Sequence, residues 1–141
     1  MYKRQGAPPP VDLAAERRHG DLVRGLIHDG LVATVHDLSD GGLIAAAAEM
    51  ALSSDVGLWL ETQTALPHHA WLFGEDQGRY LLAVAPARES EVLARAAAAG
   101  APAALVGDAG GTAFAVKDLF ELPLAELRAV NEAWMPAFMG A

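Results

Sequence analysis

The residues best equipped for chemistry stand in two short runs. The first, His36-Asp37-Leu38-Ser39-Asp40-Gly41-Gly42, puts an imidazole, a hydroxyl, two carboxylates and a glycine pair into seven positions. The second, Gly74-Glu75-Asp76-Gln77-Gly78-Arg79, adds two more acids, an amide and a guanidinium. A bare phosphate would be repelled by Asp37 and Asp40, whereas carboxylates hold Mg²⁺ and the metal bridges to phosphate oxygens. Phosphate binding at the first run therefore implies a metal–nucleotide complex. Ser39 is the one nucleophile worth checking, although spacing alone supports no Ser-His-Asp arrangement.

The flanking segments must position these groups. Leu31–His36 reads as a strand from its β-branched content, and Leu43–Leu52 as a helix of strong helix formers. The first run is then a strand-to-helix connection, where ligands of open α/β folds collect because strand carboxyl ends meet helix amino ends. Upstream, Val11–Asp29 carries a Leu22, Val23, Leu26, Ile27 stripe and predicts a helix closed by Gly30. Val56–Leu60 predicts the next strand of a βαβ-like unit. Glu61–Pro67 reads as a loop and His68–Phe73 as a short helix. The second run feeds Tyr80–Ala85, apolar on both faces and so a central strand. A helix from Pro86 to Gly100 follows. After it come a strand pair, Ala103–Val106 and Thr112–Lys117, joined by a Gly107–Gly111 turn. A last helix starts at Pro123, with Leu124, Leu127, Val130 and Trp134 as its apolar face and Pro136 as its end. The expected class is α/β: a mixed sheet of about five strands with packed helices.

The totals narrow the function classes. With 141 residues, 52% apolar and 20% charged, the chain is long enough to bury one globular core. A net charge of -8 argues against nucleic acid as a partner, because a phosphate-binding surface is basic. The chain has no cysteine, which removes thiolate and disulfide chemistry. No apolar run approaches the roughly 20 residues that span a bilayer, and no signal-peptide pattern is present. The expectation is a cytoplasmic protein with no membrane partner. Met1–Gln5 matches nothing that follows, and Pro8-Pro9-Pro10 favours an extended segment. Residues 1–10 thus read as a linker or an artefactual start, and 11–141 as a single C-terminal α/β domain.

Each polar feature also has a purely structural explanation. Asp40 can cap the helix that follows, with the glycines allowing a tight turn, and taken alone the first run favours that account. Glu75–Arg79 can be a solvated turn before a buried strand; the two runs together shift the balance towards a ligand surface. Adjacent His68 and His69 rarely face one ion and lack a third ligand at suitable spacing. His19 and His28 fall on the exposed side of their helix. Gly107–Gly111 lacks the Lys-Ser/Thr of a phosphate-binding loop. Trp59, Trp71 and Trp134 read as core.

HDLSDGGL (36–43) and LFGEDQGRY (72–80) together resemble the C-terminal domain of the phosphoribosylformylglycinamidine synthases, in the aminoimidazole ribonucleotide synthetase-like superfamily. APPPVDLAAERRHGDLVRGLI, AGAPAALVG and LAELRAVNEAWMPAFM extend the resemblance from about residue 7 to the end. It implies a full-length ATP- and glutamine-dependent ligase of de novo purine biosynthesis. Such an enzyme phosphorylates the amide oxygen of formylglycinamide ribonucleotide. Ammonia from a glutaminase component then displaces the phosphate to give the amidine, with Mg²⁺ neutralising charge in the transfer. The chain resembles the second of two homologous halves, whose site is a pseudo-symmetric copy tied to an auxiliary nucleotide or to structural work.

Carried onto this sequence, the resemblance makes Asp37 the metal-side acid and His36, Ser39, Asp40, Gly41 and Gly42 the nucleotide loop. Glu75, Asp76 and Gln77 stand at the family's Glu-Ser-Gln position, with Arg79 beside them. Asp76 departs from that serine, adding a charge and removing a donor. The resemblance places no catalytic residue in this chain and implies an inactive isolated fragment. It implies ATP or ADP and Mg²⁺ as cofactors of the full-length enzyme, and the preceding synthetase domains and the glutaminase component as partners. Two other accounts stand beside it. One is a non-catalytic structural or interaction module, and the other a domain of a related kinase such as thiamine monophosphate kinase.

Overall fold

Asp12 starts the first helix, its carboxylate accepting from the N–H groups of Ala14 and Ala15 at 3.0 and 2.9 Å. Helix α1 runs Leu13–His28. Beyond it, in the computed structural model, come β1 (Thr34–Asp37), α2 (Gly42–Ser54), β2 (Leu58–Leu60), α3 (His68–Phe73) and β3 (Tyr80–Ala83). A 3₁₀ turn, Pro86–Arg88, leads into α4 (Glu89–Ala98), followed by β4 (Gly107–Ala109), β5 (Ala113–Val116), β6 (Phe120–Pro123) and α5 (Leu124–Met139). The structure describes residues 10–61 and 65–140. The expectations for residues 1–9, and for the part of the Glu61–Pro67 loop at 62–64, lie outside the described residues.

The α/β class holds, and its strands divide between two sheets. The larger is mixed, in the order β4-β2-β5-β6, with β2 and β5 parallel and the other pairs antiparallel. The smaller is the antiparallel pair β1-β3. The expected βαβ-like unit does not form, because β1 and β2 lie in different sheets. The expected pairing of Ala103–Val106 with Thr112–Lys117 is also replaced. The strand there is Gly107–Ala109, and its partner is β2. Gly107 is a strand residue because the backbones close tightly on each other: a Cβ on it would lie 2.0 Å from the Trp59 carbonyl oxygen. A composition read as a turn thus serves a close strand approach.

Burial explains the arrangement. Leu43, Ala46, Ala47, Met50 and Ala51 of α2 pack with Leu60, Phe114 and Val116 of the mixed sheet and with Trp71, Leu72 and Leu124. A second cluster joins Leu26 of α1, Leu31 and Val92 of α4, with Leu82 packed against it. Leu81 belongs to the first cluster. Strand β3 is therefore apolar on both faces because it stands between two cores, not at the middle of a wide sheet.

Three expectations about the apolar set are corrected. Ile27 is exposed, because α1 buries only the narrower line through Val23 and Leu26. Trp59 and Trp134 are exposed at 43% and 61%, so only Trp71 of the three tryptophans is core. Pro136 lies inside α5 instead of closing it. The carbonyl that Pro136 deprives of its amide partner lies on a solvent-exposed turn, so the helix continues through the proline without burying an unpaired acceptor.

Candidate functional site

The antiparallel pairing of β1 with β3 brings the two polar runs together. Asp37, the last residue of β1, stands opposite Tyr80, the first of β3. The first loop therefore leaves the ribbon where the second loop enters it. The Leu38 N–H donates to the Arg79 carbonyl at 3.0 Å and extends the ladder one step into the loops. The Gly41 N–H then donates to Glu75 Oε1 at 2.9 Å, across 34 residues of sequence. Between the loops lies an open polar groove of about 310 Å³. Asp37, Ser39 and Asp40 line one wall, and Glu75, Asp76, Gln77 and Arg79 the other.

Helix α1 supplies a third wall through Glu16. Its register also buries part of His19, against the exposed position that the helical pattern predicts; Nδ1 donates to the Gly78 carbonyl at 3.0 Å. Glu16 and His19 were missed because the contact with Gly78 joins segments 59 residues apart. The only signal within the sequence is that Glu16 and His19 are i, i+3 neighbours on one helix face. His28 is exposed, as expected.

The glycine pair has a conformational reason. Gly41 and Gly42 take φ of +86° and +67°, and a Cβ on Gly42 would lie 2.8 Å from the Leu72 carbonyl oxygen. These residues set the start of α2 against the end of α3. The helix cap is Gly41, with no side-chain bond, so Asp40 does not cap α2 as the structural account expected. Its carboxylate is left for the groove. Arg79 turns back onto its own loop, where Nη1 donates to the Gly74 carbonyl at 3.2 Å and to Asp76 Oδ2 at 3.3 Å. That closes the second loop on itself and offsets one acid.

His36 does not line the groove. Its Nδ1 donates to the Asp37 carbonyl at 2.6 Å, and Nε2 donates to Glu49 Oε2 of α2 at 2.9 Å. Both partners are acceptors, so the doubly protonated ring satisfies both. The bond to the Asp37 carbonyl raises the imidazole pKa above its ordinary value; burial opposes it, and Glu49 adds to the rise. The ring is a brace between β1 and α2, and it is not free to serve Ser39 as a base.

Five carboxylates, Glu16, Asp37, Asp40, Glu75 and Asp76, face one guanidinium in the groove. Such a surface favours cations or metal-complexed anions over free phosphate. Among the described residues no group of three or more His, Cys, Asp or Glu side chains is gathered to hold a metal. Mg²⁺ keeps several waters and commonly binds through one or two carboxylates plus phosphate oxygens. Asp37, its side chain 64% exposed, fits that shared type of site and not a closed protein cage.

The family model for the AIR synthase related protein, C-terminal domain, matches residues 2–118. The phosphoribosylformylglycinamidine synthase subunit PurL of Caulobacter vibrioides is 54% identical over 141 residues, covering 100% of this chain and 19% of that protein. Among solved structures, Thermotoga maritima PurL complexed with ATP aligns with a TM-score of 0.75 at 20% identity, over 84% of this chain and 22% of that one. The same protein complexed with FGAR gives 0.73 at 19% identity, over 84% and 21%. At those identities the structural likeness bears on the fold. The chain spans about a fifth of the length of the curated relatives it matches.

Proposed function

Because the chain belongs to the AIR synthase related C-terminal domain family, we propose that it is the C-terminal domain of a phosphoribosylformylglycinamidine synthase. The full-length protein would be an ATP-dependent carbon–nitrogen ligase of purine biosynthesis, fed with ammonia by a glutaminase component. In this reading the chain contributes the acidic groove as a nucleotide site and the contacts to the preceding domains, and it carries no complete reaction of its own. The observation that carries the reading is the junction of the two polar loops through the Gly41–Glu75 bond. That junction turns two separate acidic runs into one groove.

Asp37 and Asp40 are the residues that would hold Mg²⁺, whose chemistry is to neutralise phosphate charge when a nucleotide binds. Ser39 and Gln77 offer neutral polar groups to the same ligand. Asp76, paired to Arg79, replaces a hydroxyl with a charge and disfavours direct contact with a phosphate ester. The groove is thus better suited to hold a metal-bound nucleotide than to bind a phosphorylated substrate directly.

Calorimetric titration of the chain with Mg-ADP tests the proposal. Saturable binding is expected, reduced at least tenfold by Asp37→Ala, while the chain alone gives no ATP-dependent amidine synthesis. Binding that ignores Asp37→Ala, or turnover by the purified chain, would contradict it.

A further inference from the structure

We infer that His19 is a positioning residue, a strut from α1 that sets where the second loop stands across the groove. The contact is built from three features. Gly78 takes φ of +65°, and a Cβ on it would lie 3.1 Å from the Glu16 Cα, so loop and helix backbones nearly touch there. His19, one turn along α1, donates from Nδ1 to the Gly78 carbonyl at 3.0 Å. Its Nε2 is sealed from solvent with no hydrogen-bond partner among the described residues.

That last feature separates a strut from simple packing. A buried polar atom without a partner is destabilising, a penalty that a leucine in the same space would not carry. The ring carries this penalty where its other nitrogen fixes a loop carbonyl. The fixed point is also placed to matter. Gly78 precedes Arg79, whose carbonyl accepts from the Leu38 N–H, and lies in the same loop as Glu75, which accepts from the Gly41 N–H. One side chain of α1 therefore controls the spacing between Glu75–Asp76 and Asp37–Asp40. The strut rests on the groove assignment above only for its effect on a ligand; its effect on the loops is independent of any ligand.

The test uses the 141-residue chain with His19→Leu, which keeps volume without a donor, and His19→Asn, whose amide places an N–H near the Nδ1 position. Amide hydrogen exchange read by NMR is expected to rise at least tenfold at Leu38 and Gly41 in His19→Leu. Exchange at Phe114–Val116 is expected to change less than twofold, and His19→Asn is expected to restore the loop amides. Unchanged loop amides, a uniform rise across the chain, or equal behaviour of the two variants would overturn the inference. Long-range ¹H–¹⁵N spectra of the unsubstituted chain give a check that needs no variant: the His19 proton is expected on Nδ1, and a proton found on Nε2 alone overturns the strut. Mg-ADP affinity is expected to fall three- to tenfold in His19→Leu and recover in His19→Asn. Failure of the unsubstituted chain to bind Mg-ADP contradicts the proposed function alone, and the exchange pattern still decides the strut.

Discussion

His36 and Gly42 show how far single residues of the first loop are committed to structure. His36 is held by two acceptors, the Asp37 carbonyl and Glu49, and its pKa is raised. A group whose folded pKa exceeds its unfolded value stabilises fully below the unfolded value, near 6.5, and loses that contribution as pH rises through the folded value. Denaturant titrations across pH 5.5–8.5 are expected to show stability falling with pH over that window, with the dependence flattened in His36→Gln. Gly42 combines a positive φ with backbone 2.8 Å from its would-be Cβ. Gly42→Ala is expected to cost about 3 kcal/mol, from left-handed strain plus overpacking. Gly110→Ala, with open space around it, should stay within about 0.5 kcal/mol in the same unfolding assay. Asp37 and Asp40 carry no comparable structural duty, which is why they remain the acids to test for function.

At the scale of elements, α5 divides into an anchored half and an exposed half. Leu124 is buried, and Arg128 Nη2 donates to the Leu52 carbonyl at 2.7 Å and Asp55 Oδ1 at 3.0 Å, tying α5 to the end of α2. Beyond it, Trp134 and Phe138 stack on each other at 5.2 Å while both stay exposed. Arg128→Ala is expected to lower the denaturation midpoint slightly, through loss of the bond to the Leu52 carbonyl. The double variant Trp134→Ala/Phe138→Ala should change unfolding free energy by less than about 0.5 kcal/mol, because neither ring reaches the core. The stripe Leu124, Leu127, Val130, Trp134 was legible as apolar periodicity. Periodicity reports an apolar face, however, and not whether anything in the chain covers it. Strand β6 was missed for a related reason: Phe120–Pro123 is short and ends in proline, so only its pairing with β5 identifies it.

For the whole molecule, two hydrophobic clusters meet at β3 and hold the groove at their junction. Leu60 is 1% exposed in the larger cluster and Leu26 1% in the smaller. Leu60→Ala and Leu26→Ala are each expected to cost about 3 kcal/mol in chemical denaturation, the usual range for a truncated core leucine. Only Leu26→Ala acts on the α1 side, so it should also speed amide exchange around Gly78. No described helix is long and apolar enough to cross a membrane.

The sequence by itself determined what local patterns encode. It placed α1, α2, α3 and β3 close to their observed positions, set the two polar loops, and marked the glycine pair as a point of unusual backbone. Helical spacing, side-chain alternation and positive-φ residues are properties of neighbours in the chain. Tertiary structure alone decided which loops meet. The β1–β3 pairing, the Gly41–Glu75 bond and the His19–Gly78 contact join residues far apart in sequence, and burying both faces of β3 dictates that geometry. It also decided which way a polar side chain turns: His36 went to a helix carboxylate and Asp40 to the groove, although both stand in the same seven-residue run.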